Sequence, residues 1–196
     1  MKESPNWLET PNDLMANILQ RLGTVEIFTS AVKVCTTWRE ICKDPAMWKV
    51  IFVKKSLDGR DKIYDFERLT KQAVDLSCGE LIDICLVSFG NDDLLDYIVL
   101  RSNKLKRLGL LALLIWPFIK CDDDDALAIA NNMHELRCLD LSESEITNNG
   151  LEAILNGCLH LQSLDVGKCH NLNLGGILGK QCMERIKDFK HDSTQN

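Results

Sequence analysis

A short pattern, Leu-x-x-Leu-x-Leu, recurs four times between residues 79 and 182 and constrains this chain more than any other feature. Leu81, Ile84 and Leu86 form the first copy and Leu105, Leu108 and Leu110 the second. Leu136, Leu139 and Leu141 form the third, and Leu161, Leu164 and Val166 the fourth. The copies start 24, 31 and 25 residues apart. Alternating apolar positions predict a short strand with one buried face. A fixed period of this length predicts stacked strand-plus-helix units, each unable to bury its apolar edge alone. About three units make a core, so four suffice narrowly.

Each copy is followed by a second apolar signal, such as Ile146 with Leu151 or Leu172 with Ile177, and then by a helical run such as 151–155. Cys169 stands three residues after Val166, and Cys78 and Cys158 stand three before a first leucine. In this form the array resembles the cysteine-containing leucine-rich repeats, and these thiols read as small buried hydrophobes. A fifth copy is expected near Arg185, but Arg185, Asp188 and Lys190 do not fit the pattern. The C-terminal end therefore reads as weakly capped, and 183–196 as a polar tail.

The leucines point inward, so the residues between them line a concave sheet. The candidate protein-binding residues on that face are Asp83, Cys85, Lys106, Arg107, Arg137, Asp140, Gln162 and Asp165. Any one of them is also satisfied as a plain solvated sheet residue. The long interval between the second and third copies holds an apolar run, 111–120, and four aspartates, Asp122 to Asp125. Four adjacent carboxylates lack the spaced ligands and turn glycine of a calcium loop, so they read as a cap for a helix beginning near Ala126.

Ahead of the array, residues 8–53 read as three short helices and a helical turn. Thr10-Pro11-Asn12-Asp13 is a helix start, with Thr10 as cap. Leu14, Ile18 and Leu22 form one stripe with Met15 and Leu19 beside it, and Gly23 ends the helix. Thr24 caps a second helix bearing Val25, Ile27 and Phe28. A third segment carries Val34, Cys35, Trp38 and Ile41, stopped by Asp44-Pro45. Trp48 lies in a turn over 45–50, and 51–53 closes the unit. Residues 54–62 read as a connection and 63–77 as a helix packed between two domains.

Pro11, the pair Ile18-Leu19, Leu22, Val34-Cys35 with Trp38, and Pro45 with Trp48 carry a second resemblance. The run is similar to an F-box, departing from it at Thr10, where the family has leucine. The resemblance implies docking on the Skp-type adaptor of a cullin-RING ubiquitin ligase. It places Pro11, Leu14, Ile18, Leu19, Ile27, Val34, Cys35, Trp38 and Trp48 in or near that interface, with the tryptophans and Val34 shared between interface and core. Leu22, Val32 and Ile41 are expected in the core. An interface of this kind uses rigid aliphatic and aromatic anchors.

Charge and cysteine content narrow the function. The chain has 196 residues and net charge −6, and segment 79–182 carries 8 Lys+Arg against 15 Asp+Glu. That balance gives no general attraction to nucleic acid or anionic membrane. The longest apolar run, 108–119, is too short to span a bilayer and contains Pro117. The polar start reads as lacking a signal peptide. Nine cysteines with no CxxC pair fit free thiols in a reducing compartment, nucleus or cytoplasm. No nucleophile elbow, phosphate loop or metal-ligand spacing appears, so neither catalysis nor a cofactor or metal is expected.

The expected architecture is α/β. A three-helix F-box spans 1–53, a linker with a packing helix 54–78, and a leucine-rich-repeat solenoid 79–182, short or truncated and plant-like. The implied function is substrate recognition within an SCF-type ubiquitin ligase, joining adaptor and cullin at one end to a protein target at the other. The alternative is a repeat-type interaction module without a ligase role.

Overall fold

The computed structural model describes residues 10–55, 64–111 and 121–192. The expected fold-back of Trp116-Pro117-Phe118 lies outside the described residues. Six strands form one parallel sheet in chain order. They are β1 (Val50–Lys54), β2 (Asp83–Val87), β3 (Arg107–Leu111), β4 (Cys138–Asp140), β5 (Ser163–Asp165) and β6 (Asp188–Lys190). Parallel neighbours need a crossover, and each is helical where described. These crossovers contain α4 (Phe66–Leu76), α5 (Asp92–Arg101), α6 (Asp123–Asn132), α7 (Asn148–Gly157) and α8 (Ile177–Arg185).

The sheet therefore has six rungs where the leucine pattern predicts four strands. Its middle row, Ile51, Ile84, Leu108, Leu139, Leu164 and Phe189, is paired strand to strand. At the C-terminal end Ile186 and Phe189 stand where leucines stand elsewhere. Ile186 is buried, and Asp188 N donates to Gln162 O at 3.0 Å. The fifth copy exists one residue beyond Arg185, hidden because its two apolar positions are Ile and Phe. At the N-terminal end, residues expected to close the first module form β1. Trp48, Ile51 and Val53 are buried like Leu81, Ile84 and Leu86. Likewise, α4 occupies the helix position of a repeat rather than that of a linker.

The first module consists of α1 (Asn12–Leu19), α2 (Thr24–Thr29), a 3-10 turn over Ala31–Lys33, α3 (Thr36–Ile41) and a 3-10 turn over Pro45–Trp48. Its caps are shifted from expectation. Pro11, not Thr10, occupies the cap of α1, and Gly23 precedes α2, so Thr24 is helical. Asp44 caps the last turn, its carboxylate accepting from Ala46 N at 2.9 Å. Met15, Leu19, Ile27, Ile41 and Trp48 form one apolar core that continues into the solenoid.

Repeats are tied by polar side chains reaching across. Asp122 caps α6 and forms a reciprocal capping box with Asp125, so the aspartate run is the helix's own first turn. Asp123 instead serves the following repeat. It accepts from Thr147 N at 2.8 Å, Thr147 Oγ1 at 2.6 Å and Gly150 N at 3.2 Å. Asn148 and Asn173 exchange two bonds of 3.0 and 2.9 Å. Arg185, which does not fit the leucine pattern, donates to the carbonyls of Leu155 and Cys158 at the end of α7. A positive-φ turn recurs two residues after the third motif position, at Ser88, Glu143 and Lys168.

Candidate protein-binding surfaces

Two surfaces carry the residues singled out from sequence. The first is the outer face of the N-terminal module. Helix α1 is apolar on two sides because Leu14 and Ile18 share one stripe while Met15 and Leu19 share the next. Met15 and Leu19 are buried, whereas Leu14 is 53% and Ile18 41% exposed. Pro11 ahead of them is exposed, as is Val34 at 60%. Leu22, expected in the core, is 39% exposed at the foot of the same stripe. Cys35 and Trp38 are half-buried, Trp38 packing against the core.

Three residues expected to contact a partner do not present a surface for it. Leu19, Ile27 and Trp48 are buried. Trp48 is committed on both sides: its ring stacks on Phe28 and its Nε1 donates to Cys42 O at 2.8 Å. The sequence could not separate α1's two stripes, since both are aliphatic.

The second surface is the concave face of the sheet, a trough of about 570 Å³. One row across it is Val50, Asp83, Arg107, Cys138, Ser163 and Asp188. The next is Phe52, Cys85, Gly109, Asp140, Asp165 and Lys190. Asp83, Cys85, Arg107, Asp140 and Asp165 therefore come together as expected. Lys106, Arg137 and Gln162 do not line the trough. Each lies one residue ahead of its strand, exposed on the rim. The pattern assigned every intervening residue to one face, but only the two flanking the middle leucine point there. Val50, Phe52, Asp188 and Lys190 were not foreseen, because β1 and β6 were not.

The trough is electrostatically partitioned. Asp83 lies 3.6 Å from Arg107, and Asp165 3.7 Å from Lys190. Burial nonetheless holds the Asp83 carboxyl above its ordinary value, with Arg107 opposing. Asp140 accepts from Ser142 N at 3.1 Å and Ser142 Oγ at 2.7 Å. No cation among the described residues lies within ion-pair distance of Asp140. Burial, then Asp83 and Asp140, push the Cys85 thiol up. The deeper thiols of Cys158 and Cys182 are pushed up to about 11 by burial, which makes them poor nucleophiles. Among the described residues no helix is long and apolar enough to cross a membrane, and no acidic, His or Cys group is arranged to hold a metal.

Comparison with known proteins adds to this geometry. Residues 7–54 match the model of the F-box-like family. The chain is 37% identical to F-box protein SKIP19 of Arabidopsis thaliana, over 96% of this chain and 78% of that protein. It is 35% identical to F-box/LRR-repeat protein 22 of the same plant, over 96% and 78%. With F-box/LRR-repeat protein 23, again from Arabidopsis thaliana, it shares 37% identity over 96% of this chain but spans about half of that relative's length, 54%. That last alignment runs over 241 residues, longer than this chain, so the relative carries residues within the matched span that are missing here.

Proposed function

The chain belongs to the F-box/leucine-rich-repeat family, and from that premise we propose that it is the substrate-recognition subunit of an SCF-type ubiquitin ligase. F-box domains generally bind Skp-type adaptors. Here the two-faced helix α1 carries the reading. Met15 and Leu19 complete the module's own core, while Leu14 and Ile18 remain as unpartnered aliphatic anchors beside exposed Pro11 and Val34. A contiguous exposed apolar stripe of this kind supports a partner-binding surface. The adaptor contact is therefore assigned to Pro11, Leu14, Ile18 and Val34, with Cys35 and Trp38 at its margin.

The solenoid is assigned the other half of the task. Its concave face, from Phe52 to Lys190, holds a protein target. No group in this chain needs to react. The ligase brings a ubiquitin-loaded partner close to a lysine of the held target, and proximity raises effective concentration. Such a subunit acts in the nucleus or cytoplasm, where the ligase machinery resides. Co-expression with a Skp-type adaptor tests the reading. The expected result is a stable 1:1 complex. A chain that stays soluble and monomeric while ignoring the adaptor would leave only a repeat-type interaction module.

A further inference from the structure

The concave trough is chemically divided, and an apolar end and an unpaired acidic position lie on one row of the sheet. At the N-terminal end β1 contributes Val50 and Phe52, 62% and 50% exposed, and Leu22 of the first module faces the same groove. That groove, about 480 Å³, opens onto the trough at Val50 and Phe52. Three rungs further along the row stands Asp140, half-buried and without a cation. Between them Gly109 offers no side chain beyond its backbone, so the floor is lowest there. Its nearest neighbour across the sheet is the Cys85 thiol. Asp83 and Asp165, by contrast, already have Arg107 and Lys190.

Resting on the reading that this face holds the target, we propose that it recognises an extended protein segment in which a bulky apolar residue and a lysine or arginine stand about four residues apart. The apolar side chain seats on Phe52, Val50 and Leu22, and the basic one reaches Asp140. The spacing follows from the three strand-to-strand steps between them. Neighbouring strands lie about 4.8 Å apart, so Phe52 and Asp140 are separated by about 14 Å across three rungs. An extended chain covers that span in about four residues. The occupant is a peptide segment of a protein because an apolar position and an acidic one stand about 14 Å apart along one open sheet face, a span that an extended chain bridges with alternate side chains. Along the row that starts at Phe52, Asp165 is paired with Lys190 whereas Asp140 has no basic side chain of the described residues within ion-pair distance, so charge complementarity makes the second residue a cation.

A randomised peptide library displayed against the whole chain in complex with the adaptor tests this. The expected result is selection of an aromatic or aliphatic residue paired with Lys or Arg at four residues' spacing, within one residue. Phe52→Ser should abolish the apolar preference alone. Asp140→Asn should weaken selected peptides about tenfold, and Asp140→Lys should replace the basic preference with an acidic one. Both positions are on the sheet surface, and unchanged thermal melting of each variant confirms intact folding. Absence of selection, or selection indifferent to these substitutions, overturns the proposal. So does loss of adaptor binding in Phe52→Ser with peptide selection unchanged, which would give the apolar patch to the adaptor. Failure of the wild-type chain to bind adaptor at all is a separate result. It removes the ligase reading, while selection by the isolated chain still decides the peptide chemistry.

Discussion

Trp48 lies flat on Phe28, with ring centroids 4.7 Å apart and planes 16° from parallel. Phe28 belongs to helix α2 of the F-box, whereas Trp48 also fills the first motif position of a repeat. Lys49 O beside it accepts from Ile82 N at 2.9 Å, as Ile82 O accepts from Lys106 N at 2.8 Å. One side chain thus serves as the last residue of one module's core and the first of the other's. The two modules share a single apolar interior, and the solenoid begins inside the F-box.

Trp48→Ala should therefore destabilise both halves together, by about 3–5 kcal/mol for loss of a fully buried tryptophan. Denaturant unfolding followed by far-UV circular dichroism should stay a single transition shifted to lower denaturant. Two separate transitions in the wild-type chain would show that the shared interior does not couple them.

Asp123 joins repeats by accepting three hydrogen bonds from the start of α7. Burial works against its charge, but the bonds from Thr147 and Gly150 outweigh it and hold the carboxyl below its ordinary value. The native state thus binds this proton less readily than the unfolded one. Its contribution is present above the unfolded value near 4 and disappears as pH falls through the lower folded value. Asp123→Ala should cost about 1–2 kcal/mol at pH 7, the usual worth of a lost cap. The difference from wild type should shrink in acid denaturation below pH 4.

Asp125 has the opposite sign. Burial raises its carboxyl to about 6, with Asp92, Asp122 and Asp96 adding repulsion against the bond from Asp122 N. A raised folded value means the charged form costs stability. That cost is absent below the unfolded value near 4, grows as pH rises towards the folded value of about 6 and levels off above it. Asp125→Asn keeps an acceptor for Asp122 N and removes the charge. It should stabilise the protein at pH 7 and not at pH 4, measured by urea midpoint.

Helices α6 and α7 pack closely because Gly157 has no side chain: a Cβ there runs into the Ala130 carbonyl. Gly157→Ala should cost about 1–3 kcal/mol, the usual range for overpacking a tight contact. An exposed control on the same helix, Asn156→Ala, should not. Equal midpoints for the two variants would contradict the packing argument.

The sequence carried the middle of this architecture well. Four strands, their inward leucines and the helices after them follow from period and alternation alone. The ends were harder to read, for physical reasons. In the first rung a tryptophan, an isoleucine and a valine do the work of leucines, and that same tryptophan already belonged to another motif. In the last rung Ile186 and Phe189 replace leucines beside charged neighbours. The exposed and buried faces of α1 were not sorted in the sequence, since its adjacent stripes are equally apolar and only packing decides that Leu19 turns inward and Ile18 outward. On the concave face the rim residues Lys106, Arg137 and Gln162 could not be separated from the floor without knowing where each strand begins.

A ligase role for this chain depends on the exposed stripe of α1 being the adaptor contact. Titration of purified Skp-type adaptor into the chain by isothermal calorimetry measures that contact directly, with Leu14→Asp and Ile18→Asp as the two variants. The expected result is a 1:1 complex for the wild type and at least a hundredfold weaker binding for each variant, about 2.7 kcal/mol, at unchanged melting temperature. Undiminished binding in both variants, or binding lost only together with the fold of the solenoid, would contradict it.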